Sequence, residues 1–379
     1  MRISNDEIAA KVIRATNREQ PADATLREVL KTYRDLAPFD AREISQTVFR
    51  HYRWLGWTRE ERTLETKLRS ARRLEERFRA NPTSFAGVEL RKAVPEWVLA
   101  EMDVGDEWLR SLQREPKLWL RAKKGQGTQL LERLFEAQRH PQLPDALWFE
   151  GETDLFKTPE FHEGQFEIQD IASQLVSLIC DPKPGETWWD ACAGEGGKLV
   201  HLSDLMQNKG LIWASDRAAW RLQKLKRRTA RAKVFNYRAA PWNGAARLPT
   251  KTKFDGVLLD APCSGVGTWQ RNPHARWTAD LKDVHELAAV QKELLANVAS
   301  SVKIGGKLIY SVCTLTRAET TAVVDAFTVA HSEFESVPIS LERLGLEKDV
   351  IAPATNGGTL RAERLEGNGM FVAVWRRKN

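Results

Sequence analysis

Residues 187–198 read TWWDACAGEGGK, a short apolar run that ends in an acid and continues into a glycine-rich segment. The run has the length of a buried strand, and the glycines that follow allow the backbone to pass close to a ligand. The segment differs from the dinucleotide pattern GxGxxG and from the phosphate-loop pattern GxxxxGK[ST]. By itself it fits an ordinary strand-to-helix turn about as well as a ligand-binding loop.

Further short apolar runs flank this segment, and helical periods separate most of them. Such alternation predicts a mostly parallel sheet with helices on both faces, in which ligands bind beyond the carboxyl ends of the strands. Near the C-terminus, LRAER and GMFVAVWRR are predicted to form a closing antiparallel pair. The predicted parallel strands are TWWDAC (187–192), LIWASD (211–216), AKVFNY (232–237), FDGVLLDAP (254–262) and GGKLIYSVCT (305–314).

The front of the chain has a different pattern, with apolar residues at helical spacing. We therefore predict three parts: an all-helical domain over 1–105, a small connecting subdomain over 106–155 and an α/β domain over 156–379. Arginines crowd the stretch 59–79. A helix there is predicted to present a solvated basic face rather than a contact for RNA.

The composition is that of a globular protein, with 42% hydrophobic and 29% charged residues. The net charge of +7 fits an anionic partner such as nucleic acid, although many basic proteins bind none. No apolar run approaches the ~20 residues of a membrane helix, and the N-terminus has no apolar signal core. We therefore expect a cytoplasmic protein that contacts no membrane. The four cysteines form no CxxC pair, which argues against a zinc site and against disulfides.

Acids stand at the ends of predicted strands, where a doubly wound sheet binds its ligand. Asp190 ends the first strand and Asp216 ends the second. Asp216 could accept hydrogen bonds from both hydroxyls of a ribose, or it could cap a helix that starts at Arg217. Different oxygens of one carboxylate could also fill both roles.

Two cysteines follow predicted strands. Cys263 lies in DAPCSGVGTWQRNPHARW (260–277), close behind Asp260, and Cys313 lies in YSVCTL (310–315). Either alone would be an inert buried thiol, but a pair at neighbouring strand ends beside a glycine-rich loop favours chemistry. The basic and aromatic residues beyond Cys263 either contact RNA or build a structural loop. They are Arg271, His274, Arg276 and Trp277.

Together these motifs resemble the RsmB/NOP2/Sun family of RNA 5-methylcytosine methyltransferases. The combination of DAPCSGxG with a later SxC[ST] separates this family from other methyltransferases. The helical front is similar to the NusB-like RNA-binding domain of the RsmB branch, through AREISQTVFRHYRWLGW (41–57). The other matching stretches are FEIQDIASQLVSLI (166–179), DACAGEGGK, DAPCSGVGTWQRNPHARW and YSVCTLTRAE.

The resemblance implies a Rossmann-like class I methyltransferase domain with a mostly parallel seven-stranded sheet, preceded by an all-α NusB-like domain. It implies an enzyme that uses S-adenosylmethionine to methylate C5 of a cytosine in RNA, with ribosomal RNA as the expected substrate. We also expect a monomer without a bound metal. Cys313 would be the nucleophile that adds to C6 of the base, and Cys263 would help to release the product. Asp260 would face the reacting centre, near both the methyl donor and the cytosine.

The resemblance also assigns contacts to the cofactor. A loop of seven residues would hold its methionine part and Asp216 its ribose. Glu195 stands where the family's CAAPGGKT has a proline, and its carboxylate could aid the binding of a sulfonium or merely be tolerated. The family's acid near the adenine is missing, and Asn236 could hydrogen-bond an adenine edge instead. The loop residues are Cys192, Ala193, Gly194, Glu195, Gly196, Gly197 and Lys198.

The chemistry requires a thiolate, which nearby positive charge can stabilise. Asp260 would meet the N3/N4 edge of the base, and as a protonated acid it could donate to N3. Three alternatives stay open: the same chemistry on transfer RNA, a non-catalytic RNA-binding ribosome assembly factor, and a DNA cytosine methyltransferase. The last would use the cysteine of the earlier motif and lack the SxC element, so Cys313 argues against it.

Overall fold

The computed structural model describes residues 3–33 and 36–378. The chain forms two compact units, each built from two stretches of sequence, which we call the helical unit and the sheet unit. The boundary predicted at residue 105 therefore lies at 116, and a second stretch of the helical unit interrupts the predicted α/β domain. The helical unit comprises Met1–Pro116 with Thr268–Asp283, and the sheet unit comprises Lys117–Gly267 with Val284–Asn379.

The described residues of the helical unit form helices and no strand, as the spacing of apolar residues predicts. The first helix begins at Asn5 and is capped by Ser4, whose side chain and that of Glu7 form a reciprocal capping box. Ile8, Ile44 and Val48 are fully or almost fully buried in the core between the first and third helices. The helices are Asn5–Ala15, Ala22–Lys31, Pro38–Arg53, Leu55–Thr58, Leu64–Ala80, Gly87–Arg91, Trp97–Glu101, Asp106–Ser111 and Ala275–Thr278.

The second stretch of the helical unit is anchored by Arg276, whose side chain is fully buried. Its guanidinium donates to the carbonyls of Ala93 (2.9 Å) and Leu112 (3.0 Å), and more weakly to those of Arg53 and Trp269. Burial lowers the pKa of Arg276 to about 9, so the group is still charged at neutral pH. Arg276 is therefore part of a structural segment and does not face RNA.

Two neighbours of Arg276 in this stretch also make contacts within the helical unit. The indole of Trp277 donates to the carbonyl of Tyr52 (2.6 Å), and the guanidinium of Arg59 lies 4.8 Å from the Trp277 ring. The ring of His274 packs edge-on against Tyr52 at 4.8 Å. For these residues, the structure favours the structural-loop alternative over base stacking.

We expect Arg276→Met to destabilise the helical unit by about 2–4 kcal/mol, because two buried carbonyls would lose their closest donor. Arg271→Met is the matched control, since Arg271 lies in the same segment and is exposed. The measurement is urea unfolding followed by far-UV circular dichroism. Equal midpoints for the two variants would show that Arg276 does not anchor the segment.

The sheet unit begins with a small antiparallel sheet, which has the strand order β2-β3-β1-β4. Leu120, Leu147 and Phe166 are buried in its core. The structure differs from the predicted connecting subdomain, 106–155, at both ends. The small sheet extends to residue 168, and the helix Asp106–Ser111 belongs to the helical unit. The strands are β1 (Leu118–Ala122), β2 (Ala137–Arg139), β3 (Ala146–Phe149) and β4 (Phe166–Ile168).

The large sheet has nine strands among the described residues, where the family resemblance implied seven. Its parallel part has the order β7-β6-β5-β8-β9, so the winding direction reverses between β5 and β8. Antiparallel strands follow, with β13 on β9, β12 on β13, β11 on β12 and β10 also on β13. The strands are β5 (Thr187–Asp190), β6 (Leu211–Asp216), β7 (Tyr237–Pro241), β8 (Phe254–Asp260), β9 (Val302–Val312), β10 (Phe334–Ser336), β11 (Ile351–Ala354), β12 (Gly357–Leu360) and β13 (Met370–Arg377).

The large sheet is covered on both faces. In β8, Leu258 joins the core on one face, while Val257 and Leu259 join the core on the other. Burial on both sides explains why this strand reads as an unbroken apolar run. This mostly parallel, doubly wound arrangement is Rossmann-like, as predicted. The helices of the sheet unit include Gly127–Leu131, Pro159–His162, Ile171–Cys180, Gly197–Leu205, Ala219–Arg231, Thr321–Ala330 and Ala362–Leu365. The helix Leu281–Ala299 belongs to this unit from Val284 onward.

The described parts of the chain contain no helix with the length and apolar character that a membrane crossing requires.

Candidate functional site

A cavity of about 460 Å³ opens at the carboxyl ends of the parallel strands. This volume lies within the ~300–1,000 Å³ typical of small-molecule sites. A doubly wound sheet presents ligands to this edge where the strand order reverses, which here lies between β5 and β8. Each of the five strands contributes a residue at its end or just beyond it: Asp190, Asp216, Trp242, Asp260 and Cys313.

The glycine-rich loop after β5 forms one wall of the cavity. Gly194 and Gly196 have φ values of 54° and 86°, a left-handed conformation that favours glycine. A Cβ atom at Gly196 would also lie 2.9 Å from the Leu225 side chain, so this position turns the chain rather than lining the cavity. The other six predicted loop residues do line it: Cys192, Ala193, Gly194, Glu195, Gly197 and Lys198.

Asp216 is buried at the end of β6, where its side chain accepts hydrogen bonds from two backbone amides. Its Oδ2 accepts from Gly194 (3.1 Å) and its Oδ1 from Ala218 (2.8 Å). The following helix, Ala219–Arg231, has Ala218 as its N-cap, so the helix-cap interpretation of Asp216 was wrong. Each carboxylate oxygen has a second lone pair, and the side chain can therefore still accept hydroxyl groups from a ligand in the cavity.

Glu195 lies at the rim of the cavity and is paired with a lysine. Its Oε1 lies 2.7 Å from Lys224 Nζ, and both side chains are about half exposed. A pair as exposed as this contributes ~0–1 kcal/mol. The arrangement supports the view that the carboxylate at this position is tolerated rather than needed by a sulfonium.

Asp260 and Lys198 form an ion pair inside the cavity, with Nζ 2.6 Å from Oδ2. The hydroxyl of Ser311 donates to the other oxygen, Oδ1, at 2.7 Å. Burial opposes the charge of Lys198, but the Asp260 carboxylate overrides it and raises the pKa of the ammonium. Because both Asp260 oxygens accept hydrogen bonds, the ionised carboxylate fits this site better than the protonated acid considered for N3 of the base.

The Sγ atoms of Cys263 and Cys313 lie 3.3 Å apart. Their strands, β8 and β9, are parallel neighbours, and both residues line the cavity, which confirms that the two thiols open into one crevice. The hydrogen bond between them lowers the pKa of Cys313 against the opposing effects of burial and of the Asp260 charge, and the charge of Lys198 adds to the lowering. The same bond raises the pKa of Cys263 well above its usual value. The two pKa shifts therefore favour a thiolate at Cys313 and a thiol at Cys263.

Asp190 is 1% exposed, and among the described residues neither of its carboxyl oxygens has a hydrogen-bond partner. Burial, followed by the nearby charge of Asp260, raises the pKa of Asp190 to about 8. An acid without partners at the wall of a cavity is better satisfied once a cation binds there.

Asn236 lies away from the cavity, so the prediction that it contacts an adenine was wrong. The strand predicted over 232–237 begins in the structure at Tyr237, and Asn236 therefore precedes it. The side-chain amide of Asn236 is engaged elsewhere, by the hydroxyl of Ser203 (2.6 Å) and the carbonyl of Lys209 (3.4 Å).

The residues that line the cavity beyond β7 are Trp242, Asn243 and Gly244, which the sequence analysis missed. The indole of Trp242 packs against Trp189, with 5.0 Å between ring centroids, and donates to the carbonyl of Ala245. The available signal was the sequence PWNG at 241–244, since proline and an Asn-Gly pair mark a turn that follows a strand.

Comparison with known proteins gives a consistent result. A family model described as 16S rRNA methyltransferase RsmB/F matches residues 177–376. The Probable ribosomal RNA small subunit methyltransferase B of Synechocystis sp. is 39% identical over 201 residues, which are 52% of this chain and 45% of that protein. A protein of the same name from Bacillus subtilis is 32% identical over 300 residues, which are 75% of this chain and 66% of that protein. The chain thus spans about half to two thirds of the length of these relatives.

Among solved structures, a methyltransferase homolog protein from Pyrococcus horikoshii superposes with a TM-score of 0.62. It is 26% identical, and the match covers 72% of this chain and 90% of that chain.

Proposed function

The chain belongs to the 16S rRNA methyltransferase RsmB/F family, and from this premise we propose that it transfers a methyl group from S-adenosylmethionine to C5 of a cytosine in RNA. Ribosomal RNA is the proposed substrate because the relatives that match are named for it. The observation that supports this chemistry most strongly is the 3.3 Å approach of two thiols beside the Asp260–Lys198 pair. A non-catalytic assembly factor would need no such arrangement.

The cavity suits a cationic cofactor that carries a ribose. Asp190 offers a buried carboxyl without a partner in the described chain, which a cationic group would satisfy. The glycine-rich loop would hold the methionine part, Asp216 the ribose, and residues 242–244 the base. When bound, S-adenosylmethionine supplies an electrophilic methyl group.

The proposed first step is the attack of the Cys313 thiolate on C6 of the cytosine. This addition turns C5, a poor nucleophile, into an enamine-like carbon that can accept a methyl group. Lys198 supports the step by favouring the thiolate. Asp260, held by Lys198 and Ser311, is placed to accept a hydrogen bond from the N4 amino group of the base.

The proposed last step releases the product. The proton on C5 must leave before the bond between Cys313 and C6 can break, and Cys263 is the residue that we propose to assist its removal. Once Cys313 is bonded to C6, the hydrogen bond that mainly raises the pKa of Cys263 is lost, so Cys263 can release its proton to solvent and accept the C5 proton as a thiolate. Cys263 lies within sulfur contact of Cys313, so it is close to the atoms involved. The base must be unpaired or flipped out of a helix to reach the cavity.

A role of residues 1–105 in binding RNA stays a prediction, as do a monomeric state and a cytoplasmic location. Four arginines of the helix Leu64–Ala80 form ion pairs with acids of the same unit, which supports a solvated basic face for that helix. The pairs are Arg69–Glu65, Arg72–Asp6, Arg77–Glu89 and Arg79–Glu75.

The proposed function is tested by incubating the purified protein with labelled S-adenosylmethionine and total RNA from a strain that lacks the gene. We expect 5-methylcytidine among the digested nucleosides, and we expect the label in ribosomal RNA rather than in the transfer RNA fraction. Label in transfer RNA alone would assign the alternative substrate. A methylated nucleoside other than 5-methylcytidine, or none, would contradict the proposal.

Asp216→Ala is expected to weaken cofactor binding about ten- to a hundredfold, because hydrogen bonds to charged groups contribute roughly 1.5–3 kcal/mol. The measurement is isothermal titration calorimetry with S-adenosylmethionine. Asp255→Ala is the control: Asp255 lies near the opposite end of β8 and pairs with Lys303, so its loss should leave the Kd unchanged. A Kd for Asp216→Ala equal to that of the control would remove Asp216 from the cofactor site.

A further inference from the structure

Glu319 is a fully buried acid that faces both cysteine loops, although it follows Cys313 by six residues and lies far from Cys263 in sequence. Its Oε1 accepts N–H groups from the backbone of Ser264 (2.8 Å) and the side chain of Gln291 (3.0 Å). Its Oε2 accepts from hydroxyl groups of Ser264, Thr314 (3.0 Å) and Thr316 (2.9 Å). All five of these groups donate, so the acceptor sites of both carboxyl oxygens of Glu319 are occupied.

Two of the partners of Glu319 directly follow the two cysteines. Ser264 follows Cys263, and Thr314 follows Cys313. The hydroxyls of Ser264 and Thr314 also lie 2.9 Å from each other. One carboxylate therefore ties together the two loops whose thiols approach to 3.3 Å.

The surroundings of the carboxylate are themselves held in place. Gln291, from the helix Leu281–Ala299, donates both to Glu319 and to the carbonyl of Pro262 (2.8 Å), which precedes Cys263. The hydroxyl of Tyr310, from β9, lies 2.7 Å from the Glu319 carbonyl oxygen. The separation of the loops is thus fixed by residues that do not line the cavity.

The charges around the two thiols differ. Cys313 faces Lys198 and Asp260, whereas Cys263 faces Glu319, and the hydroxyl of Tyr310 is close by. The hydrogen bond to Cys313 and burial are the main reasons that the pKa of Cys263 is raised, and the negative charge of Glu319 adds to them. A buried negative charge beside one thiol of a pair favours the proton on that thiol.

We propose that Glu319 is a positioning residue, which fixes the two cysteine loops against each other and keeps the shared proton on Cys263, so that Cys313 is the free thiolate. The inference deepens the proposed function, because it explains which of two adjacent thiols can act as nucleophile. It does not require any particular RNA. Glu319 touches neither the cofactor cavity nor the reacting atoms, and it acts through the two cysteines.

The test measures the two thiols directly, with the full chain and iodoacetamide, in the absence of RNA and cofactor. Labelling of the Cys263 and Cys313 peptides is followed by mass spectrometry as a function of pH. In the unmodified protein we expect Cys313 to react faster and with the lower pH midpoint, since the thiolate is the reactive form. Because no methyl transfer is involved, failure of this test and failure of the proposed function are distinguishable.

Glu319→Gln removes the charge and keeps the size of the side chain. We expect the ratio of Cys313 to Cys263 labelling to fall by about threefold or more, which corresponds to a pKa change of roughly half a unit for Cys263. Glu319→Asp keeps the charge and should lie between the unmodified protein and Glu319→Gln. Far-UV circular dichroism shows that each variant is folded.

Two results would overturn the proposal. One is a folded Glu319→Gln protein with the original ratio and the original pH midpoints. The other is an equal effect of Gln and Asp, which would mean that the charge plays no part. If Glu319→Gln does not fold, Ser264→Ala takes its place: it keeps the charge and must leave Cys313 the faster thiol, so a reversed order would also overturn the proposal.

Discussion

Cys313→Ala is expected to abolish methyl transfer while S-adenosylmethionine still binds. In the proposed mechanism the thiol acts only on the base, through a bond to C6 that alanine cannot form. The structure supports Cys313 in this role because it favours the thiolate there and the thiol at Cys263. Transfer of labelled methyl groups to RNA is the measurement, with calorimetry of cofactor binding alongside.

Cys180→Ala is the matched control for this variant. Cys180 is also a buried free thiol of the sheet unit, but it lies in the helix Ile171–Cys180 and does not line the cavity. Its loss should leave methyl transfer intact. Turnover by Cys313→Ala within a few-fold of the control would exclude Cys313 as the nucleophile.

Cys263→Ala is expected to trap the protein on RNA. Without Cys263 the attack by Cys313 and the methyl transfer can still occur, but removal of the C5 proton and release are impaired. A covalent complex should therefore accumulate that survives denaturing electrophoresis and disappears after nuclease treatment. The double variant Cys263→Ala/Cys313→Ala should show no complex, because the trap needs the nucleophile.

The opposite pattern would reverse the two roles. A complex with Cys313→Ala and none with Cys263→Ala would make Cys263 the nucleophile, as in the DNA-type enzymes. The two sulfur atoms lie only 3.3 Å apart, so either thiol is close enough to the same site to be the nucleophile. The experiment therefore decides which of the two thiols attacks the base. The outcome depends on the order of steps and is the same for any RNA substrate.

Sequence alone predicted the site best where a buried strand stops at an acid. LIWASD coincides with β6 and FDGVLLD with β8, because strands buried on both faces read as continuous apolar runs. The third strand was misplaced because β7 lies at the edge of the sheet, is only partly buried and lacks such a run. Because the strand was predicted too early in the chain, Asn236 was assigned to its end, and Trp242 was not recognised as a residue that lines the cavity.

Other parts of the site depend on contacts that no local pattern reveals. Glu319 receives hydrogen bonds from residues as far away as Ser264, and its own neighbourhood reads as an ordinary turn. Arg276 sits in a basic and aromatic stretch that would look the same on an RNA-binding surface. Only the carbonyls of Ala93 and Leu112, far away in sequence, identify it as a buried anchor.

The helical unit is built from two stretches of sequence that are synthesised at different times, and this affects when the unit can fold. Its stretch Thr268–Asp283 leaves the ribosome about 150 residues after Pro116, when most of the parallel strands have already been synthesised. Domains usually fold from the N-terminus onward during synthesis. Because Arg276 and Trp277 donate to the carbonyls of Ala93, Leu112 and Tyr52, we expect a nascent chain halted before residue 268 to expose those carbonyls and the apolar surface that the two side chains cover.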